Sequence, residues 1–198
     1  MSTSLSAMPT MSDVAWPSRT SSPLLRSVSL VLAGTAVLTI SSKLQVPFYP
    51  VPITLQTFLV LMIGMAYGWR LGGITMLCYL AEGVIGLPVF AGTPEKGLGI
   101  AYMLGGTGGY LIGFVPAAIV CGWLAEKGWD RRPLTAAAAM SLGTAAIYLP
   151  GLTWLGTLFG WDKPILAWGL YPFLAGDVFK ILLGTAMLPL AWRLLGRR

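Results

Sequence analysis

Three ionisable side chains stand where a chain of this composition should carry none. Glu82, Asp177 and Lys180 fall inside long apolar stretches, whereas nearly all the rest of the 13 basic and 7 acidic residues lie between such stretches or towards the ends. A charge within a membrane span is costly, and its presence points by default to function. Asp177 and Lys180 are three residues apart, so a helix places them on one face. One accepts hydrogen bonds and the other donates them, which suits a small ligand that carries both donors and acceptors. An ion pair that merely holds a helix bundle together is the bland alternative. Pro172 is suited to a first helical turn. A helix beginning near Tyr171 then puts the pair roughly 8 to 12 Å below its start.

What is missing narrows the chemistry further. The chain has no His, and its two cysteines, Cys78 and Cys121, sit in apolar stretches. That composition disfavours zinc sites, Cys-His nucleophiles and His acid–base catalysis. No metal site and no cofactor is expected. No Lys is followed by Ser or Thr, so the phosphate-binding loop G-x-x-x-x-G-K-[ST] cannot occur. Gly105-Gly106-Thr107-Gly108-Gly109 does not complete G-x-G-x-x-G either. The chain reads as a non-enzyme, and any energy for pumping must come from another polypeptide or an ion gradient.

The elements that must position these residues are membrane helices. Apolar residues make up 56% of the chain and charged residues only 10%, against roughly a quarter charged in a soluble domain. Apolar runs at about 24–42, 54–68, 70–86, 101–125, 134–155 and 171–192 predict an all-α membrane protein, a bundle of six transmembrane helices. The second and third runs meet at Gly68-Trp69-Arg70 and should form a tight helical hairpin. Residues 1–22, rich in Ser and Thr, read as a disordered cytoplasmic tail, and 23–198 as a single transmembrane domain.

The basic residues set the expected orientation. With a cytoplasmic N-terminus, Arg19, Arg26, Arg70, Lys127, Arg131, Arg132, Arg193, Arg197 and Arg198 fall inside, and only Lys43, Lys96 and Lys163 fall outside. The expectation is a multi-pass protein of the bacterial inner membrane with both termini in the cytoplasm. Positive-inside placement explains the net charge of +6 without nucleic acid. Residues 86–109 and 156–169 are too apolar for solvated loops and too rich in Gly, Pro and aromatics for simple helices. They are expected to cap the outer end as irregular loops, unless they are interfacial loops held by Trp and Tyr. Ser29, Ala33 and Ala36 form a small-residue strip on the first helix, suited either to packing inside the bundle or to docking a partner.

Four stretches carry a resemblance. They are Pro50-Val51-Pro52-Ile53-Thr54-Leu55-Gln56-Thr57, Gly86-Leu87-Pro88-Val89-Phe90-Ala91-Gly92, Gly105-Gly106-Thr107-Gly108-Gly109-Tyr110-Leu111-Ile112-Gly113-Phe114 and Tyr171-Pro172-Phe173-Leu174-Ala175-Gly176-Asp177-Val178-Phe179-Lys180. In this order they closely resemble the BioY family, the biotin-specific S components of energy-coupling factor (ECF) transporters, over about residues 24–195. The resemblance implies high-affinity biotin capture near the outer face by Asp177 and Lys180. It also implies a transmembrane coupling protein and ABC-type ATPases as partners, met through Ser29, Ala33 and Ala36. A solitary or homo-oligomeric form in membrane lipid is also open, since some family members lack a dedicated energising module. Gly106 departs from the family pattern, in which Pro precedes Thr-Gly-Gly.

Biotin fits such chemistry, with two ureido N–H donors, a carbonyl and a carboxylate tail. Asp177 and Glu82 are expected to accept from the N–H groups and Lys180 to donate. Thr54 and Gln56 join the site, while Phe90, Tyr102 and Tyr171 line its apolar part. The rival reading is a stand-alone, ion-coupled secondary transporter of biotin or a similar vitamin, with Glu82 or Asp177 as relay.

Overall fold

The computed structural model describes residues 8–17 and 22–195. The elements run α1 (Met11–Ala15), α2 (Pro23–Lys43), β1 (Gln45–Val46), β2 (Ile53–Thr54), α3 (Gln56–Val84), α4 (Gly99–Met103), α5 (Gly108–Ala125), a 3-10 turn (Trp129–Arg131), α6 (Pro133–Phe159), α7 (Ile165–Gly169) and α8 (Tyr171–Leu195). Proline opens both α2 and α6, where its fixed φ is helical already and its missing N–H would have had no partner.

Among the described residues, five helical stretches are long and apolar enough to cross a membrane, not the six expected. The difference lies in α3. It breaks at Gly68, whose φ of 82° and ψ of 172° are open to glycine and strained for other residues. The chain reverses there: Gln56 Nε2 donates to the Tyr79 hydroxyl, 23 residues on, and on a straight helix these would stand roughly 35 Å apart. The two expected short spans are therefore two arms of one hairpin, about 18 and 24 Å long. The arms meet closely because Gly64 and Gly72 face each other. A Cβ on Gly72 would stand 3.0 Å from the Gly64 Cα, and one on Gly64 would strike the Ala118 backbone of α5 at 2.6 Å.

The α3 hairpin, α5 and α6 form the centre, with Leu61, Met65, Met76, Tyr79, Leu111 and Met140 fully buried between them. Helix α5 is the most enclosed of the long helices, while α2, α6 and α8 turn much of their surface outward.

Met8–Pro17 departs from the expected disordered tail. Thr10 caps α1 reciprocally with Asp13, Asp13 pairs with Arg26 at 2.9 Å, and Met11 and Ser12 are buried. The caps and the burial of Met11 supply locally what composition alone did not promise. The rest of the expected tail lies outside the described residues.

One end of the bundle collects the basic loops. Met8 N donates to Glu126 O at 2.9 Å, Trp69 N to Glu126 Oε1 at 3.2 Å and the Trp192 indole to Asp130. At the opposite end Lys43 reaches the segment after α3, and Trp154 Nε1 donates to Gly105 O at 2.8 Å. The start of α1 and the end of α8 thus lie at the same end, as the distribution of Arg and Lys required.

Candidate binding site

Helix α8 buries one stripe, Phe173, Asp177, Lys180, Gly184 and Leu188, at the three- and four-residue spacing of one helical face. The first three of these side chains border a small, mostly apolar cavity. Asp177 and Lys180 are each only 7% exposed. Lys180 Nζ lies 3.2 Å from Asp177 Oδ1 and donates to Thr57 Oγ1 at 2.8 Å. The second carboxylate oxygen, Oδ2, accepts from the Tyr148 hydroxyl of α6. The pair is neutral as a unit, which makes its burial tolerable. The ammonium still has a third donor, and the carboxylate oxygens have lone pairs to spare.

The wall opposite is apolar and irregular. The β1–β2 ribbon supplies Val51, Pro52 and Thr54, and the segment after α3 supplies Ala91. Phe48 of the ribbon meets Phe173 of α8 edge to face, with ring centres 6.3 Å apart. Thr107 at the head of α5, with Tyr110 and Phe114 within it, completes that side. Tyr110 is held by donation to Gly169 O at 2.8 Å. A cleft with one fixed polar edge and mostly apolar walls takes a compact ligand with a polar ring and an apolar body.

Of the expected site residues, Asp177, Lys180, Gln56 and Thr54 come together around the cavity. Gln56 is buried, and its amide is tied to Tyr79. Phe90 and Tyr102 stand one layer back. They stack on each other at 5.1 Å, and Tyr102 reaches the wall only by donating to Ala91 O at 2.7 Å. Tyr171 is 59% exposed and lies outside the cavity lining, because it opens α8 on a face turned away from Asp177. Glu82 is also elsewhere, half-buried in an apolar groove between α2 and the second arm of α3. Ser29 is half-buried on α2, and Ala33 and Ala36 are exposed there. The bundle contacts that helix instead through residues such as Gly34, Thr35 and Leu38.

Residues 156–169 do not cap the cavity. Residues up to Phe159 continue α6, and Ile165–Gly169 forms the short helix α7. The β ribbon takes the covering role instead. Tyr148, Thr57 and Phe173 were missed as individual site residues, although Thr57 and Phe173 lie within motifs quoted for the resemblance. Tyr148 carried no signal, since a tyrosine in an apolar helix is as readily an interfacial residue. Among the described residues, no three His, Cys, Asp or Glu side chains converge as metal ligands would.

The profile of the BioY family matches residues 8–197. A probable biotin transporter BioY of Pyrococcus horikoshii is 37% identical over 155 residues, covering 78% of this chain and 89% of that protein. The biotin transporter BioY of Thermotoga maritima is 35% identical, covering 79% and 90%. In three dimensions the chain is similar to the crystal structure of the S-component for biotin from an ECF-type ABC transporter. The TM-score is 0.72 with 26% identity, over 85% of this chain and 92% of that one.

Proposed function

The chain belongs to the BioY family, and from that premise we propose that it captures biotin as the substrate-binding S component of an energy-coupling factor transporter. The observation that carries this reading is the buried Asp177–Lys180 pair bordering a mostly apolar cavity. In it Asp177 accepts from a ureido N–H and Lys180 donates to an acceptor of the ligand. Tyr148 holds the carboxylate in place, and the apolar walls take the sulfur ring and the tail. Charge-assisted hydrogen bonds out of water are about twice as strong as neutral ones. A ligand that completes them is favoured over one that leaves them unpaired.

The two arms of α3 act as separate crossings, giving six in all, with both termini and the basic end in the cytoplasm of a bacterial inner membrane. The chain has no phosphate-binding loop of its own, so ABC-type ATPases acting through a transmembrane coupling protein supply the energy. The outward strip of Ser29, Ala33 and Ala36 is the face offered to that coupling protein.

The test is a titration of the purified chain with biotin and desthiobiotin, repeated with Asp177→Asn. The wild type is expected to bind both, and the variant to bind at least roughly tenfold more weakly. Unchanged affinity in a folded variant would remove Asp177 from the site.

A further inference from the structure

The wall beside the site is a stretch of backbone without regular structure, and side chains hold almost every carbonyl in it. The Pro88, Phe90 and Thr93 carbonyls accept from Lys43 Nζ at 2.7, 3.0 and 3.0 Å, and Thr93 Oγ1 lies a further 3.0 Å away. Val89 O accepts from Ser42 at 2.8 Å and from Tyr79 at 2.7 Å. Ala91 O accepts from Tyr102 at 2.7 Å. Non-helical backbone near a membrane must find such partners within the protein. Here the last residue of α2 supplies most of them from a single ammonium group.

Lys43 is an exposed residue, yet no carboxylate among the described residues pairs with it within ion-pair distance. Its charge is met at close range by carbonyl oxygens, with the Glu95 carboxylate acting on it from further away. The segment it grips is part of the cavity twice over. Ala91 lines the space directly, and Gln56, also in the lining, donates to Tyr79, which in turn donates to Val89 O.

We infer that Lys43 is a positioning residue for ligand retention: it clamps residues 88–93 against the end of α2 and so keeps that wall of the cavity shut. This rests on the biotin-capture reading for the identity of the ligand, and on the geometry alone for the clamp. Lys43 does not touch the ligand, so its loss acts on the release rate, leaving the polar recognition by Asp177 and Lys180 in place.

The experiment loads the purified full chain in detergent with radiolabelled biotin, chases it with excess unlabelled biotin, and follows hydrogen exchange of the same samples. Lys43→Met is expected to release biotin roughly fivefold faster. The amides of Val89 and Thr93, bonded to Leu87 O and Phe90 O, should exchange faster while those of α8 keep their protection. Lys43→Arg, which restores a multiple donor, should return release to within about twofold of wild type. Thr93→Val deletes one of the four acceptors, and with it the hydroxyl's own 2.7 Å bond to Phe90 O. It should speed release about twofold in the wild type, and add nothing in a Lys43→Arg background only if the clamp is broken there; this comparison carries the test if Lys43→Met does not fold. Wild-type release from a folded Lys43→Met protein would overturn the clamp. So would faster release accompanied by equal loosening of α8, because the effect would then be general destabilisation. A wild-type chain that binds no biotin would instead overturn the functional reading itself, and the retention role with it.

Discussion

Two buried acids stand near opposite ends of α8, Asp177 on the helix and Asp130 against it, and they are equipped for different work. Asp177 has a cation at 3.2 Å, a tyrosine hydroxyl on its other oxygen and an open cavity beside it. Asp130 is fully buried in the 3-10 turn, where it accepts from the indole of Trp192, whose ring also carries the Arg131 guanidinium at 4.4 Å. Burial pushes the Asp130 carboxyl above its ordinary value, while the Trp192 bond, its own backbone and the Arg131 charge pull the other way without cancelling the rise. A buried acid is therefore not in itself a site. Asp177 has a partner that sustains its charge and space where a ligand can complete it. Asp130 serves to tie the C-terminal end of α8 to the α5–α6 connection.

The sharpest way to break this contrast is to strip each acid of its support. Lys180→Met leaves Asp177 as an unpaired buried carboxylate. Biotin affinity should fall by more than about a hundredfold and unfolding stability by about 3 kcal/mol. Calorimetry and thermal unfolding in the same detergent check both, and an unaltered affinity would mean that the pair only holds the bundle together. Tyr148→Phe is gentler. It keeps the ring that packs edge to face on Tyr110 at 6.1 Å and removes only the bond to Asp177. Affinity should drop about fivefold to tenfold with little change in stability.

Asp130→Asn should have the smallest effect on binding, within about twofold, because it lies outside the cavity. Its signature is in pH. The folded state holds the Asp130 proton more tightly than the unfolded chain, whose value is near 3.8. The penalty for its charge is therefore fully present at high pH and is relieved as pH falls through the raised folded value towards 3.8. Unfolding midpoints of the wild type and Asp130→Asn, followed from pH 7 downward, should converge over that window as the wild type gains. A difference between them that does not change with pH would rule out Asp130 as the titrating group.

The same contrast marks what could be read in one dimension. Asp177 and Lys180 were legible because charge inside an apolar run stands out wherever the run lies. Glu82 stood out for the same reason, yet it faces a groove outside the cavity. A span pattern shows that a residue is in the membrane but not which way its helix turns. Phe90 and Tyr102 were placed in the right part of the chain and one layer too far forward, since the smaller Ala91 takes the position at the cavity. The hairpin at Gly68 was legible from the near absence of a connection. That a single residue makes the reversal was not.

Composition, the apolar runs and the distribution of Arg and Lys by themselves determined a helical membrane protein, the gathering of its basic loops at one end, and the helix that carries the buried Asp177–Lys180 pair. These are properties of neighbouring residues and of their partition between water and lipid. The tertiary structure alone decided that Tyr148 would reach Asp177 from 29 residues away and Thr57 would reach Lys180 from 123. It also decided that the β ribbon, and not residues 156–169, would cover the cavity. Those outcomes depend on how close two helices can approach and how each is rotated, which small residues such as Gly64 and Gly72 set only once their partners are in place.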